Sequence, residues 1–444
     1  MKDSLLNNEH INTINSLAQD DEIKLRFSNI RYPIHTFYGG AHLFKRDTFE
    51  KIKRIAQGIF NDYCEESERF YSIFTLPDSP VSKSTAEKVY HKIHKKVEDE
   101  PVEDYRIDFE DGYGYRSDEE EDEHAISAAT ETAEIIKNDA LPSIFGIRIK
   151  PIAPGTAQRA VRTLDLYINT LLKLTENTLP PAFVVTLPKV TRPEQLSVLN
   201  DILHKLEMRN HLPKNSILTE VMIETPEAIA EKYMAEIVQV GGNRLLGGHL
   251  GVYDLNSSFG VSASFQEMQH PSCDYARVLM KIILGRSGIR CVDGVTNVMP
   301  VAPNKATLAA PLAVHLHEEN VATVIAGWQK SYSDIRHSLR MGFYQGWDLH
   351  PAQIISRLAA VYIFFLNEYP LAAKRMKQFL KNLAQPSVHK GIFDDAASGF
   401  GLLLFFRYGF ECHAFDEHDL AGAGITKENL YARHFSDIIS SSAQ

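Results

Sequence analysis

The stretch YRIDFEDGYG, Tyr105 to Gly114, begins as a buried strand and ends in acid. Ile107 and Phe109 alternate with Asp108 and Glu110, and Asp111 follows at once, with Gly112 and Gly114 behind it. Carboxylates so close repel one another. A solvated turn is the plain reading, and a site that holds a cation is the sharper one. Further polar residues end apolar segments elsewhere: Arg148 and Lys150 in IFGIRIKPI, Lys189 in AFVVTLPKV, Glu224 in LTEVMIETP, Asp254 in RLLGGHLGVYDLN and His350 in GFYQGWDLHP. Acidic and cationic groups around one mouth suit a divalent metal and a small anionic substrate. Glu224 and Asp254 form the best metal pair. Hard oxygen ligands on neighbouring strands match Mg2+ (or Mn2+), which keeps several waters and takes one or two carboxylates. Their alternative role is capping of helix starts. Arg148 lies within an apolar strand, where a guanidinium suits bidentate binding of a substrate carboxylate. Its alternative is a structural ion pair with Asp108 or Glu110. Lys189 and His350 are assigned to substrate binding, although His350 serves equally as a capping or packing histidine. The glycines of LLGGHLGVYD read as allowing close backbone approach rather than cradling phosphate.

These residues need strands to position them. Eight apolar segments recur along the chain: Pro33 to Phe44, Tyr105 to Gly114, Ile144 to Ile152, Ala182 to Val190, Leu218 to Pro226, Arg244 to Asn256, Gly288 to Asn297 and Gly342 to Pro351. They are rich in β-branched and aromatic residues, as strands require. Helical patterns lie between them. TFEKIKRIAQGIF puts Phe49, Ile52, Ile55, Ile59 and Phe60 on one face, and RPEQLSVLNDILHKLEMRN does the same with Leu196, Leu199, Ile202, Leu203 and Leu206. TPEAIAEKYMAEIVQV starts with Thr225 as an N-cap and Pro226 in the first turn. Strand–helix alternation predicts parallel units, and eight of them predict a TIM (β/α)8 barrel of the α/β class. An open doubly wound sheet is disfavoured because no G-x-G-x-x-G follows the first strand. Residues 1–355 are assigned to the barrel with an N-terminal helical segment and insertions, one of them at 301–335. Residues 356–444 are assigned to a C-terminal helical extension.

The chain of 444 residues has 44% hydrophobic and 23% charged residues, an ordinary globular balance. A net charge of -10 argues against a general affinity for nucleic acid or acidic membranes. The run DEEEDEH, Asp118 to His124, reads as a solvated helix start. Cys64, Cys273, Cys291 and Cys412 form no CxxC pair, and their scatter fits a reducing cytoplasm. The N-terminus reads as a polar helix without the apolar core of a signal peptide. VYIFFL and GLLLFF are shorter than the ~20 residues of a membrane helix. Apolar runs of that kind on a surface extension predict a homo-oligomer.

Six blocks in order resemble the citrate lyase β-subunit and malyl-CoA lyase group of the HpcH/HpaI aldolase superfamily. IDFEDGYG resembles that group's L-D-L-E-D-A/S, GIRIKPI its V-R-V-N, and LPKV its strand-four block. MIETPEAI resembles its I-E-T block, GVYDLNSSFG its G-x-x-D-L-x-x-x-L-G, and GWDLHPAQI its G-K-x-x-I-H-P-x-Q-I. The resemblance implies a TIM barrel, Mg2+ on Glu224 and Asp254, and Arg148 on a substrate carboxylate or carbonyl oxygen. It implies a C–C lyase acting on a hydroxy or keto acid or its acyl-CoA thioester through a metal-stabilised enolate. Glu110 and Asp111 would then border the metal, and proximity to it predicts low pKa values for both. In the resembling lyases a C-terminal Asp completes the site, and GIFDDAASGFG offers Asp395, or failing it Asp394, as the proton acceptor. The chain departs from the group in Lys150, where the group has Asn, and in FYGGAHLF, where the group has a V-P-G turn. A class II pyruvate-type aldolase or phosphoenolpyruvate-using enzyme of the same superfamily is the first alternative. There the strand-two block carries His where this chain has Asp111. A non-catalytic binding barrel is the second.

Overall fold

Each of the eight apolar segments coincides with a strand, the second of which starts one residue earlier: β1 His35–Gly40, β2 Asp104–Asp108, β3 Ile144–Arg148, β4 Phe183–Leu187, β5 Leu218–Ile223, β6 Leu245–Leu250, β7 Arg290–Val292 and β8 Gly346–Asp348. The computed structural model describes residues 9–12, 30–77, 80–305, 312–384 and 396–431. All neighbouring strands pair in parallel, and β1 lies between β2 and β8. A bridge between Val292 and Gln345 joins the two ends of the sheet. There the Asp293 amide donates to the Gln345 carbonyl (2.9 Å) and the Trp347 amide to that of Gly294 (3.2 Å). The result is an eight-stranded parallel barrel wrapped by helices, as the alternating pattern predicts.

The helices use the faces their periodicity offers. Thr48–Tyr63 buries Ile52, Ala56 and Phe60 but leaves Ile55 outside. Pro193–Arg209 buries Leu196, Leu199, Leu203 and Leu206. Thr225 caps Pro226–Ile229 by accepting from the Ala228 amide (3.1 Å). Asp118–Lys137 opens with a capping box between Ser117 and Glu120. Its acidic start is only partly solvated. Glu121 is buried and paired with Lys150 Nζ at 2.7 Å.

Two expectations change. The segment read as an insertion, 301–335, holds most of Val314–Arg340, the helix that connects β7 to β8. The sequence hid this because a polar, histidine-bearing first half masks the buried face of Trp328, Tyr332, Ile335 and Leu339. The tail opens with Gln353–Ala384, which starts just ahead of the boundary placed at 355/356. This helix has the length and apolar character of a membrane span, yet most of it is buried inside the fold. Val361, Tyr362, Ile363 and Phe365 are buried within the chain, as are Leu402, Leu403 and Phe406 of Ala396–Glu411. The apolar runs that suggested a second copy are therefore largely covered by the chain itself.

Inside the barrel the layers differ in chemistry. At the N-terminal ends of the strands, Ile144, Val184, Leu218 and Leu246 form an apolar plug with Ile30. Above it lies a buried polar layer. Arg106 Nη2 donates to Glu220 Oε2 (2.8 Å), and Arg106 also pairs with Asp104. Thr36 Oγ1 donates to Asp104 Oδ2 (2.9 Å), and Gln345 Nε2 to Thr36 Oγ1 (2.9 Å). Removing one partner of such a buried pair costs roughly 3–5 kcal/mol, and this layer links β1, β2 and β5 with Gln345 just before β8. It forms the floor beneath the mouth.

Candidate active site

The acid-rich turn after β2 is built around Asp108. Its Oδ1 accepts from the Glu110 amide (3.0 Å) and its Oδ2 from the Gly112 amide (2.7 Å). A Cβ at Gly112 would lie 2.5 Å from that Oδ2, so glycine is needed for the closure. Arg148, at the end of β3, grips the same carboxylate through Nε (2.7 Å) and Nη2 (2.5 Å). Its planar group sits over the Tyr38 ring at 4.9 Å. The bidentate edge of Arg148 thus belongs to Asp108. Nη1, 3.3 Å from Glu110 Oε2, is the edge turned toward the acids of the mouth. Lys150 braces the turn from outside by donating to the Phe109 carbonyl (2.8 Å).

Glu224 follows β5 and is buried, and its Oε1 accepts from the Lys189 amide (2.6 Å). Gly251 gives it room, since a Cβ there would lie 2.4 Å from Glu224 Oε2. Asp254 lies in the first turn of Val252–Ser258, and the N-cap residue of that helix is Gly251. With Thr225 capping the helix after β5, neither Glu224 nor Asp254 is the capping residue that sequence allowed.

Lys189 stands in the middle. Its Nζ lies 2.5 Å from Asp254 Oδ2, 3.3 Å from Asp111 Oδ2, 3.7 Å from Glu110 Oε1 and 3.9 Å from Glu224 Oε1. The backbone at Lys189 is left-handed, with φ 51°. A non-glycine residue there is strained, and such strain clusters at functional sites. The four carboxylates outnumber the one ammonium, because Arg148 is largely matched by Asp108. The imbalance shows in their protonation. Burial pushes Glu110 up to about 8 against the pull of Arg148 and Lys189, with Asp111 adding to the rise. Burial likewise pushes Glu224 up to about 7, opposed by Lys189 and helped by Asp254. At Asp111 burial is outweighed by hydrogen bonding to Glu110 and by Arg148 and Lys189, so its value is lowered. The expectation of low values for both acids concerns the metal-bound site; in the cluster without metal Asp111 is lowered and Glu110 raised.

Among the described residues no three or more His, Cys, Asp or Glu side chains are already gathered as metal ligands. The donor set nevertheless fits a hard divalent cation in kind and in charge. It supplies carboxylate oxygens, carries more negative than positive charge, and offers the one or two direct ligands that Mg2+ needs beside water.

His350 is engaged at the start of Gln353–Ala384, where its Nδ1 accepts from the Ala352 amide (3.2 Å). Burial lowers its pKa. Asp394 and Asp395 lie outside the described residues. Sequence reasoning missed Tyr38, whose hydroxyl lies 3.2 Å from His249 Nδ1 while its ring supports Arg148. Nothing marks it among the aromatic residues of β1. It also missed the polar layer, although DYRID shows Asp104, Arg106 and Asp108 on one face at period two.

The shift at Glu110 has a measurable consequence for protein without divalent cation. A carboxyl whose folded pKa is raised destabilises the fold progressively as pH climbs from its unfolded value toward its folded one. Between pH 6.5 and 8.5 stability should fall by about 2 kcal/mol from this group. Glu110→Gln should be flatter over that window and more stable at its upper end. Thermal melts in a chelating buffer check this; equal slopes for the two proteins would remove the shift.

Parallel strands wrapped by helices, with the polar cluster at their C-terminal ends, define a (β/α)8-barrel protein. The chain belongs to the family described as a domain of unknown function, DUF6986, which it matches over residues 24–438. No curated protein matches it. Among solved structures, a citrate lyase from Burkholderia xenovorans LB400 is similar with a TM-score of 0.53 and 15% identity, covering 75% of this chain and 91% of that one. A malate synthase from Haloferax volcanii in a lead(II) complex gives a TM-score of 0.44 and 13% identity, covering 92% and 97%. Its magnesium/glyoxylate complex gives 0.45 and 14%, covering 83% and 80%. At 15% identity the likeness to the citrate lyase is one of fold.

Proposed function

We propose that this protein is a divalent-metal-dependent carbon–carbon lyase that cleaves or forms a bond in a hydroxy or keto acid, or in its acyl thioester. The observation that carries the reading is the mouth itself: buried Glu224 and nearby Asp254 face Arg148 across an acid cluster short of positive charge. The six resembling blocks and the shared fold of a citrate lyase support it.

Cleavage begins with loss of the substrate hydroxyl proton. Glu110, with Oε2 3.3 Å from Arg148 Nη1, accepts it at a carboxylate oxygen as the general base. The O–H pair forms the new carbonyl, the C–C bond breaks, and its electron pair moves onto the adjacent carbonyl as an enolate. Arg148 presents Nη1 to that oxyanion, while Asp108 holds the guanidinium in plane. Glu110 then returns its proton to the enolate carbon. Lys189 is placed to bind a carboxylate at the rim. A cation held by Glu224 and Asp254 would, when bound, supply Lewis-acid polarisation of the substrate carbonyl.

Incubation of the full chain and Mg2+ with 2-keto acids, hydroxy acids and acyl-CoA thioesters, read by product mass, tests the reading. Metal-dependent C–C cleavage or condensation supports it. Turnover confined to free keto acids would favour the pyruvate-type aldolase, and binding without turnover the non-catalytic barrel.

A further inference from the structure

We propose that Lys189 is an internal counter-cation, seated in the acid cluster until a divalent metal expels it. This rests on the metal reading above. Nζ of Lys189 lies within 3.9 Å of carboxylates that follow three different strands: Glu110 and Asp111 after β2, Glu224 after β5, and Asp254 in the helix after β6. The side chain is anchored at its base, because its own amide donates to Glu224 at 2.6 Å. A lysine held at φ 51° directly after Pro188 is a strained way to make a surface ion pair. Central placement gives the strain a purpose, because the ammonium neutralises part of a cluster that would otherwise repel itself.

The ammonium and the metal seek the same oxygens. Asp254 Oδ2 already holds Nζ at 2.5 Å. A Mg2+ ion bound to that carboxylate at ~2.1 Å leaves no favourable place for a second cation beside it. Binding is therefore an exchange, one ammonium out and one divalent ion in. The exchange is favourable because the incoming ion carries twice the charge into a cluster of four carboxylates. A Schiff-base role for Lys189 fits the geometry poorly, since that chemistry needs a neutral amine and this one is surrounded by anions.

Two measurements on the full chain test the exchange. The first is calorimetric binding of Mn2+ to wild type, Lys189→Met, Lys189→Arg and Glu224→Gln. Lys189→Met should bind Mn2+ about 10-fold tighter or more, and Lys189→Arg no tighter than wild type, because arginine keeps the competing charge. The second, on wild type, is acetylation by a limiting amine reagent, followed by peptide mass spectrometry. Lys189 should label several-fold faster with Mn2+ present, while exposed Lys232 should not change. Mn2+ affinity unchanged or weakened in Lys189→Met overturns the exchange, and so does Lys189 labelling that ignores the metal. If Lys189→Met does not fold, the labelling experiment decides alone. Binding in wild type that is lost in Glu224→Gln, with no tightening in Lys189→Met, removes only the exchange. No Mn2+ binding to wild type or Lys189→Met removes the metal reading and the exchange with it.

Discussion

Arg148→Lys should lower turnover by about 10²-fold or more while the protein stays folded. Lysine keeps the charge but replaces a planar fork with a single ammonium. Nε and Nη2 of Arg148 are spent on Asp108, and only Nη1 is turned toward the acids of the mouth. A lysine cannot reach Asp108 and an oxyanion together in that geometry. Losing one preorganised oxyanion donor typically costs ~10²–10³ in rate. Asp108 keeps its hydrogen bonds from the Glu110 and Gly112 amides, so the turn after β2 retains its frame. The stability loss should be roughly 1–2 kcal/mol, the scale of a weakened charged hydrogen bond. Steady-state rates and thermal melts of the same preparation separate the two effects. Wild-type rates would make Arg148 a structural partner of Asp108 and nothing more.

Glu224→Gln should weaken Mn2+ binding by about 10²-fold or more. The substitution preserves shape, and the amide oxygen can still accept from the Lys189 backbone. It removes the charge of a buried ligand, and neutral amides are poor substitutes for carboxylates toward hard cations. Stability should move the other way. Burial already disfavours ionised Glu224, pushing it up to about 7, so a neutral isostere should be at least as stable as wild type at pH 8 without metal. Calorimetry with Mn2+ and a melt in chelator read the pair. A destabilised variant with unchanged Mn2+ affinity would assign Glu224 to the scaffold.

The barrel was legible because its signals are local. Apolar and aromatic segments running into polar residues marked every strand, from His35–Gly40 to Gly346–Asp348, and Thr225–Pro226 marked a helix start. The mouth was legible as a list of charges, since strand ends must converge in this architecture. Pairings across the barrel were less so. Sequence named Asp108 only as an alternative partner for Arg148, and the structure makes it the partner. The central seat of Lys189 depends on a left-handed backbone after Pro188, for which LPKV carries no signal. The polar floor of Asp104, Arg106 and Glu220 joins residues 114 positions apart between Arg106 and Glu220. Lys150, a departure from the resembling lyases, turned out to tie Glu121 and the Phe109 carbonyl to the acid turn.

Enolate stabilisation is the step that every substrate within the proposed class must share. It can be watched without the second substrate, by proton NMR in D2O of the hydrogens beside the carbonyl in pyruvate and in acetyl-CoA. With Mg2+ and wild-type protein, the C–H signal of at least one of them should decay through exchange with solvent. The decay should stop on chelation and in Arg148→Lys and Glu224→Gln. Exchange that stays at the protein-free rate for both compounds, with Mg2+ bound to the protein, would contradict the lyase account.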